Sequence, residues 1–456
     1  MVRILKEPIQ YGQRMSVSAE PVREPGSRPS PDEAPGSSNP DMPFEHLVVV
    51  MMENHSFDNL LGALSLTRTD VHGLTFEDGK ATNSNPGGPG TPPVVTAFPL
   101  TNTSQGSDVS QTWKDSHDQI DGGRMDGFVR TMNSEQPMGY YTPAVLPFAY
   151  SLASTFTVAN QWFSSLPGPT YPNRRFLLAG TAYGTTQTRG DPLLADSPPS
   201  GTVFDLLSNQ GISWADYFSD LPMSVVIGRS ILDHADHHHV IDTFFEDCRT
   251  GSLPQVSFVD PRIGVASRIG QPIAQLPFPF DEWLKRIDAD LSNADPAETE
   301  EDPQDMYYGE AWAYRVVTSV IQSPVWPQTC LIYLYDEHGG YYDHVAPPAA
   351  IPPDDIKPIL QPGDPDGGYD MYGPRVPAIV VSPHSKPGAT TDVVHDHTSV
   401  LATIEAKWNL PALTRRDANA RDIMDFLDPG PPALLHPTGI APPQTTGPSG
   451  PVGPIN

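Results

Sequence analysis

Apolar and polar positions along the chain alternate between two patterns. Short, almost unbroken apolar runs occupy 46–52, 223–227, 256–260, 330–335 and 376–382. Runs of that length, rich in β-branched residues, predict strands covered on both faces, as in a parallel sheet. Between them lie segments of helical periodicity. Residues 309–322 align Trp312, Val316, Val317, Val320 and Ile321 on one face, and 398–408 align Leu401, Ile404 and Trp408. Strands alternating with helices predict an α/β domain with a mostly parallel central sheet and helices on both faces. The Pro-, Gly- and Asp-rich stretches 82–98, 187–201 and 347–374 read as long surface loops. Residues 1–42 and 429–456 lack periodicity and read as an extended amino-terminal segment and a Pro-rich tail flanking one domain, 43–428.

The ends of two runs break the pattern in the same way. His46–Met52 passes directly into Glu53-Asn54 with no turn residue between, and Cys330–Tyr335 passes into Asp336-Glu337. In open α/β sheets, ligands gather beyond the carboxyl ends of the strands. One such pair alone reads as a helix cap or a surface charge. Two pairs behind two core strands predict a site for one divalent metal. Oxygen-only ligands suit Ca, Mg or Mn, and Zn is compatible with carboxylates.

Charge narrows the partners. The 456 residues carry 27 Lys plus Arg against 55 Asp plus Glu, a net of −28. A surface that acidic argues against nucleic acid and against electrostatic docking on anionic membranes. A zwitterionic lipid or a small phosphorylated substrate stays open. Two cysteines in so long a chain make no disulfide framework, and Cys330 within a strand run reads as a buried thiol. No apolar run approaches the length of a transmembrane segment. The first fifteen residues have neither a signal-peptide core nor a twin arginine. That leaves a cytoplasmic protein, or a secreted one whose export signal is missing from this sequence. Oligomeric state is not legible.

A third polar element is Leu166-Pro-Gly-Pro-Thr-Tyr-Pro-Asn-Arg174. Pro172 suits a first helical turn, Thr170 or Tyr171 its cap, and Gly180 its stop. A hydroxyl at a helix start faces free N–H groups, a ready place for a phosphate. If metal-bound, Thr170 becomes a nucleophile. Asn173 and Arg174 are candidates for binding a substrate oxygen. Three loops pair His with Asp, around His117, His344 and His397, and offer catalytic acids or phosphate-oxygen donors. The tract His234, His237, His238 and His239 has no spacing that matches a metal site.

Five ordered motifs carry a resemblance. Glu53-Asn-His-Ser-Phe-Asp-Asn-Leu-Leu-Gly62, Pro167–Arg174, Tyr335-Asp-Glu-His-Gly-Gly-Tyr-Tyr-Asp-His-Val345, Tyr372-Gly-Pro-Arg-Val-Pro377 and Asp396-His-Thr-Ser399 resemble the motifs of the bacterial phosphoesterase family. That family includes phosphatidylcholine-type and plant non-specific phospholipases C and a group of acid phosphatases. The resemblance spans roughly 44–427. It implies an alkaline-phosphatase-like fold and a metal held by Glu53, Asn54, Asp336 and Glu337. It further implies a nucleophile at Thr170, which ligates the same metal, and a phosphate-site histidine at His117. Thr rather than Ser at 170 favours the phospholipase C branch, with acid phosphatase as the alternative reading and a catalytically weak metal- or phosphate-binding protein behind it. Asp302 stands where the family has an active-site histidine. Protonation of the leaving group therefore falls to Asp302, to another histidine such as His344, or to water.

Overall fold

A computed structural model describes residues 23–107, 109–188, 197–262, 300, 305–444, 446–447 and 450–451. Its centre is an eight-stranded mixed sheet. In chain order the strands are β1 (His46–Met52), β2 (Thr157–Ala159), β3 (Trp214–Phe218), β4 (His238–Val240), β5 (Val256–Asp260), β6 (Thr329–Tyr335), β7 (Ala378–Val381) and β8 (Thr390–Thr391). Their spatial order is β4-β3-β5-β1-β6-β7-β2-β8. β1 lies parallel to β5 on one side and β6 on the other, and β7 runs antiparallel to β6 and β2. Every residue of β5 and β6 is buried, and so is β1 from Leu47 onward. Each such Val, Leu or Ile contributes about 1.5–3 kcal/mol relative to exposure. That burial is why these runs read as continuous rather than alternating.

The six helices that matter to the site are α1 (Phe57–Leu61), α2 (Trp113–Ile120), α3 (Pro147–Thr155), α4 (Thr170–Ala179), α5 (Met306–Gln322) and α6 (Thr398–Trp408). α4 packs with α6, and α5 packs with α3 and with the helix Ile241–Thr250. α2 starts with a Thr112 side-chain cap on the Asp115 N–H. α4 stops at Gly180, in the left-handed conformation at φ 70°.

Two expectations need correction. The run 223–227 is a 3-10 turn, Met223–Ile227, and not a strand. Its Met223 N–H is taken by the Asp260 side chain, which turns the chain across the end of β5 instead of along it. The strand in that region is β3, whose interior Asp216 hides it from an apolar-run search. The loops at 82–98 carry short two- and three-residue strands, and part of the 187–201 loop lies outside the described residues. Both cysteines are free and buried. No helix among the described residues is long and apolar enough to cross a membrane. Residues 24–36 lie along α6 and the loop after it. Gly26 N–H donates to Ala412 O, and the Asn409 side chain bonds the backbone of Ser30, Glu33 and Ala34.

Candidate active site

β1 and β6 are adjacent and in register from His46 with Thr329 to Met52 with Tyr335. Their carboxyl ends therefore deliver Glu53-Asn54 and Asp336-Glu337 side by side. The chain turns immediately. Asn54 takes φ 64°, a region that Asn tolerates better than most residues. Its N–H donates to Asp336 Oδ1 at 3.0 Å, and the Glu337 N–H donates to the same oxygen at 2.8 Å. Gly339, at φ 62°, closes the second turn. A Cβ there would sit 1.9 Å from Asn54 O, so only glycine lets the two strand ends meet.

Thr170 approaches from α4. Pro169, not Thr170, is the residue ahead of the helix, and no side chain caps that end. The Thr170 hydroxyl donates instead to Asn54 Oδ1, 3.2 Å away. From the first residue of the helix, that hydroxyl points to the strand ends.

Glu53, Asn54, Asp336 and Glu337 are all buried. Glu337 Oε2 accepts the Gly339 N–H at 2.8 Å, while Oε1 is buried without a hydrogen-bond partner. Burial, then the neighbouring Asp336, pushes the Glu337 carboxyl well above the usual range. An orphaned, fully buried carboxylate oxygen beside two further acids, an amide oxygen and a hydroxyl is a donor set that fits a hard divalent cation.

The three residues expected to bind substrate are placed otherwise. Arg174 is 1% exposed, and its donors go to Glu53 Oε1 (3.0 Å), Asp336 Oδ2 (3.2 Å) and the carbonyls of Met51 and Met52. Asn173 is buried, accepts the Leu166 N–H, and donates to the carbonyls of Leu166, Gly168 and Pro169. It clamps the turn that precedes Thr170. His397 is buried with both ring nitrogens engaged, Nε2 with Asp336 O at 2.5 Å and Nδ1 with Trp162 Nε1 at 3.5 Å. Asn173 and His397 have their polar groups engaged, while Arg174 Nη1 lies 3.8 Å from Asp260 without a hydrogen-bond partner. All three brace the strand ends or the Thr170 turn.

The two other histidines stand in contrasting surroundings. His117 lies on α2, its Nδ1–H donating to Trp113 O at 2.7 Å and its ring against the Trp113 indole. Burial lowers its pKa. Its helix is docked on the cradle, since Gln119 Oε1 meets His338 Nε2 at 2.7 Å and Trp113 borders Gly168. His344 is 27% exposed at the side chain and donates through Nδ1 to Asp58 Oδ2 at 2.6 Å. Burial works against its charge, but the Asp58 carboxylate outweighs it and raises the pKa. Asp302 lies outside the described residues.

Four residues were not singled out from the sequence. Asp58 and Arg375 sit inside the motifs Glu53–Gly62 and Tyr372–Pro377, and only the fold shows why. Arg375 grips Asp343 through Nε and Nη2 (2.9 and 3.1 Å), reaches Asp58 at 3.3 Å, and donates to the carbonyls of His72 and Asn160. Asp58, Asp343 and His344 bring ligand-type atoms within 4.8 Å of one another, the spacing of a metal site. Arg375 supplies a positive charge there and joins the trio in an ion-pair network. Asp260, at the end of β5, lies 3.8 Å from Arg174 Nη1. Glu300 accepts the Glu53 N–H at 3.1 Å, and burial pushes its carboxyl up to about 8. A Cβ on Gly309 would collide with its other oxygen. The histidine tract is spent structurally, with His238 on Ser224 and His237 stacked on Trp214.

The Phosphoesterase family model matches residues 44–411. Non-specific phospholipase C1 of Arabidopsis thaliana is 30% identical over 403 residues, covering 82% of this chain and 69% of that protein. Phospholipase C B of Mycobacterium tuberculosis is 28% identical over 470 residues, covering 86% and 80%. Non-hemolytic phospholipase C of Pseudomonas aeruginosa is 27% identical over 406 residues, covering 80% of this chain and 54% of its own length. Among solved structures, a Vibrio parahaemolyticus protein in the alkaline phosphatase superfamily superposes over 80% of this chain and 78% of its own, with a TM-score of 0.33 and 12% identity.

Proposed function

The chain belongs to the phosphoesterase family and hydrolyses phosphoric ester bonds, and we propose that it is a phospholipase C that splits phosphocholine-type lipids through a phosphothreonine intermediate at Thr170. The observation that carries this reading is the Thr170 hydroxyl, which from the first residue of its helix meets Asn54 Oδ1 at the strand ends. The relatives named above are phospholipases C, and threonine at this position matches that branch.

Glu53, Asn54, Asp336, Glu337 and the Thr170 oxygen would hold one divalent cation. Bound there, the cation would lower the hydroxyl's pKa and offset the charge of a phosphate oxygen. The rest is done by the chain. Thr170 Oγ, its proton released to water, attacks phosphorus in line, the phosphorus–oxygen bond to the diacylglycerol breaks, and the head group stays on the phosphorus as a threonine ester. His344 donates the proton that the leaving alkoxide needs. Asp58 holds it protonated and leaves Nε2 as the free donor. In the second step water attacks the same phosphorus, Thr170 Oγ leaves, and His117 accepts the water's proton at its unprotonated Nε2. Two histidines whose surroundings push their pKa values apart, one up and one down, suit an acid and a base. On this reading His344 takes the role of the family's histidine, where this chain has Asp302.

Turnover of p-nitrophenylphosphorylcholine and p-nitrophenyl phosphate, with and without chelator, tests the reading. Diester cleavage lost on chelation and in Thr170→Ala supports it. Monoester cleavage alone makes the protein a phosphatase. Turnover of neither leaves a binding protein.

A further inference from the structure

The cradle contains its own cation. Arg174 lies one helical turn after Thr170 on α4 and reaches between the ends of β1 and β6, held by Glu53, Asp336 and the carbonyls of Met51 and Met52. Burial alone would discharge it, but the carboxylates of Asp336, Glu53 and Asp260 keep the guanidinium charged. Its far nitrogen faces Asp260, whose own carboxyl is turned to the Met223 N–H and to Asp216. Asp260 is thus a background charge outside the cradle. The other buried titratable groups nearby are His338, which meets Gln119 Oε1, His397, which meets Asp336 O, and Glu300, which accepts the Glu53 N–H.

Three carboxylates face the cradle: Glu53, Asp336 and Glu337. One fixed guanidinium offsets one of them. Charges buried this deeply must be balanced locally, because water cannot do it. We propose that Arg174 is the charge-setting residue of the metal site, leaving two negative charges for the ion and so lowering the site's preference for a trivalent over a divalent cation. This rests on the metal reading of the cradle given above. It assigns Arg174 no contact with substrate. A charge of +3 would meet the guanidinium with half again the repulsion met by +2.

The test uses calcium and terbium, hard ions of similar size, on the chelator-stripped full chain. Terbium binding is read by aromatic-sensitised emission, and calcium by its displacement. The readout is the ratio of the two affinities, in which general damage to the site cancels. Arg174→Gln is expected to shift the ratio toward terbium by on the order of a hundredfold to a thousandfold, as one missing unit charge a few ångströms away implies at an effective dielectric near 20. Arg174→Lys, which keeps the charge, should stay near the wild-type ratio. The same rise should separate Glu337→Gln from Glu337→Gln/Arg174→Gln, a charge-balanced pair that decides the matter if Arg174→Gln alone fails to fold. An unchanged ratio in either comparison, with both ions binding, overturns the role of Arg174 alone. A wild-type chain that takes up neither ion overturns the metal reading itself.

Discussion

Two buried acidic clusters stand behind the same two strands, and each contains one arginine. In the first, Glu53, Asp336 and Glu337 surround Arg174. In the second, Asp58 and Asp343 surround Arg375, with His344 alongside. By proximity alone the second is the better metal site, since its ligand atoms are the closer set. By charge it is the worse one. Two carboxylates meet a guanidinium and a histidine held toward its charged form. In the first, three carboxylates meet one guanidinium, and a buried oxygen of Glu337 has no hydrogen-bond partner. Net charge and unmet hydrogen bonds, not spacing, decide which cluster calls for an ion. On this account the first cluster takes a cation and the second keeps a proton.

The sharpest way to break the comparison is at its reacting end. Thr170→Ala removes the nucleophile while leaving all the carboxylates in place, and kcat for the diester should fall about 10⁴-fold or more. Calcium binding should survive with a modest loss. Next comes the proton. His344→Gln should lower kcat/KM about 100-fold. Wild-type activity should fall as pH rises through the raised His344 pKa, and the variant should lose that alkaline limb. A variant that keeps the limb would move the acid elsewhere.

The scaffold role of the second cluster is tested by Arg375→Met. Two carboxylates would be left buried without their partner, at a cost of about 3–5 kcal/mol in denaturant unfolding. Calcium affinity of the folded variant should stay at the wild-type value if this cluster binds no metal.

The smallest effect is linkage through His344. Its folded pKa lies above the unfolded value of 6.5. Its contribution to stability is therefore fully present below about pH 6.5 and lost as pH rises through the folded pKa. Wild-type chain should lose stability over that window relative to His344→Gln.

The first cluster was largely legible in the sequence, and the second was not. Glu53-Asn54 and Asp336-Glu337 stand out because strand runs that end in acids are locally anomalous. Thr170 stands out because Pro172 and Gly180 bracket a helix. Those signals are local, and so were the runs that became β1, β5 and β6. Asp58 meets Arg375 across 317 residues of chain, and nothing in the flanking sequence of either reports the partner. Asn173, Arg174 and His397 looked like substrate ligands because polar residues near a site invite that reading. The fold buries all three and sets them against the strand ends or the Thr170 turn, a placement that local sequence does not report. The run 223–227 misled because apolar β-branched composition does not exclude a turn when a side chain such as Asp260 takes the backbone N–H.

The most direct measurement is anomalous diffraction from crystals of the full chain soaked in manganese. One peak, enclosed by Glu53, Asn54, Thr170, Asp336 and Glu337, is the predicted result. A peak between Asp58, Asp343 and His344, or none in the cradle, would contradict the account.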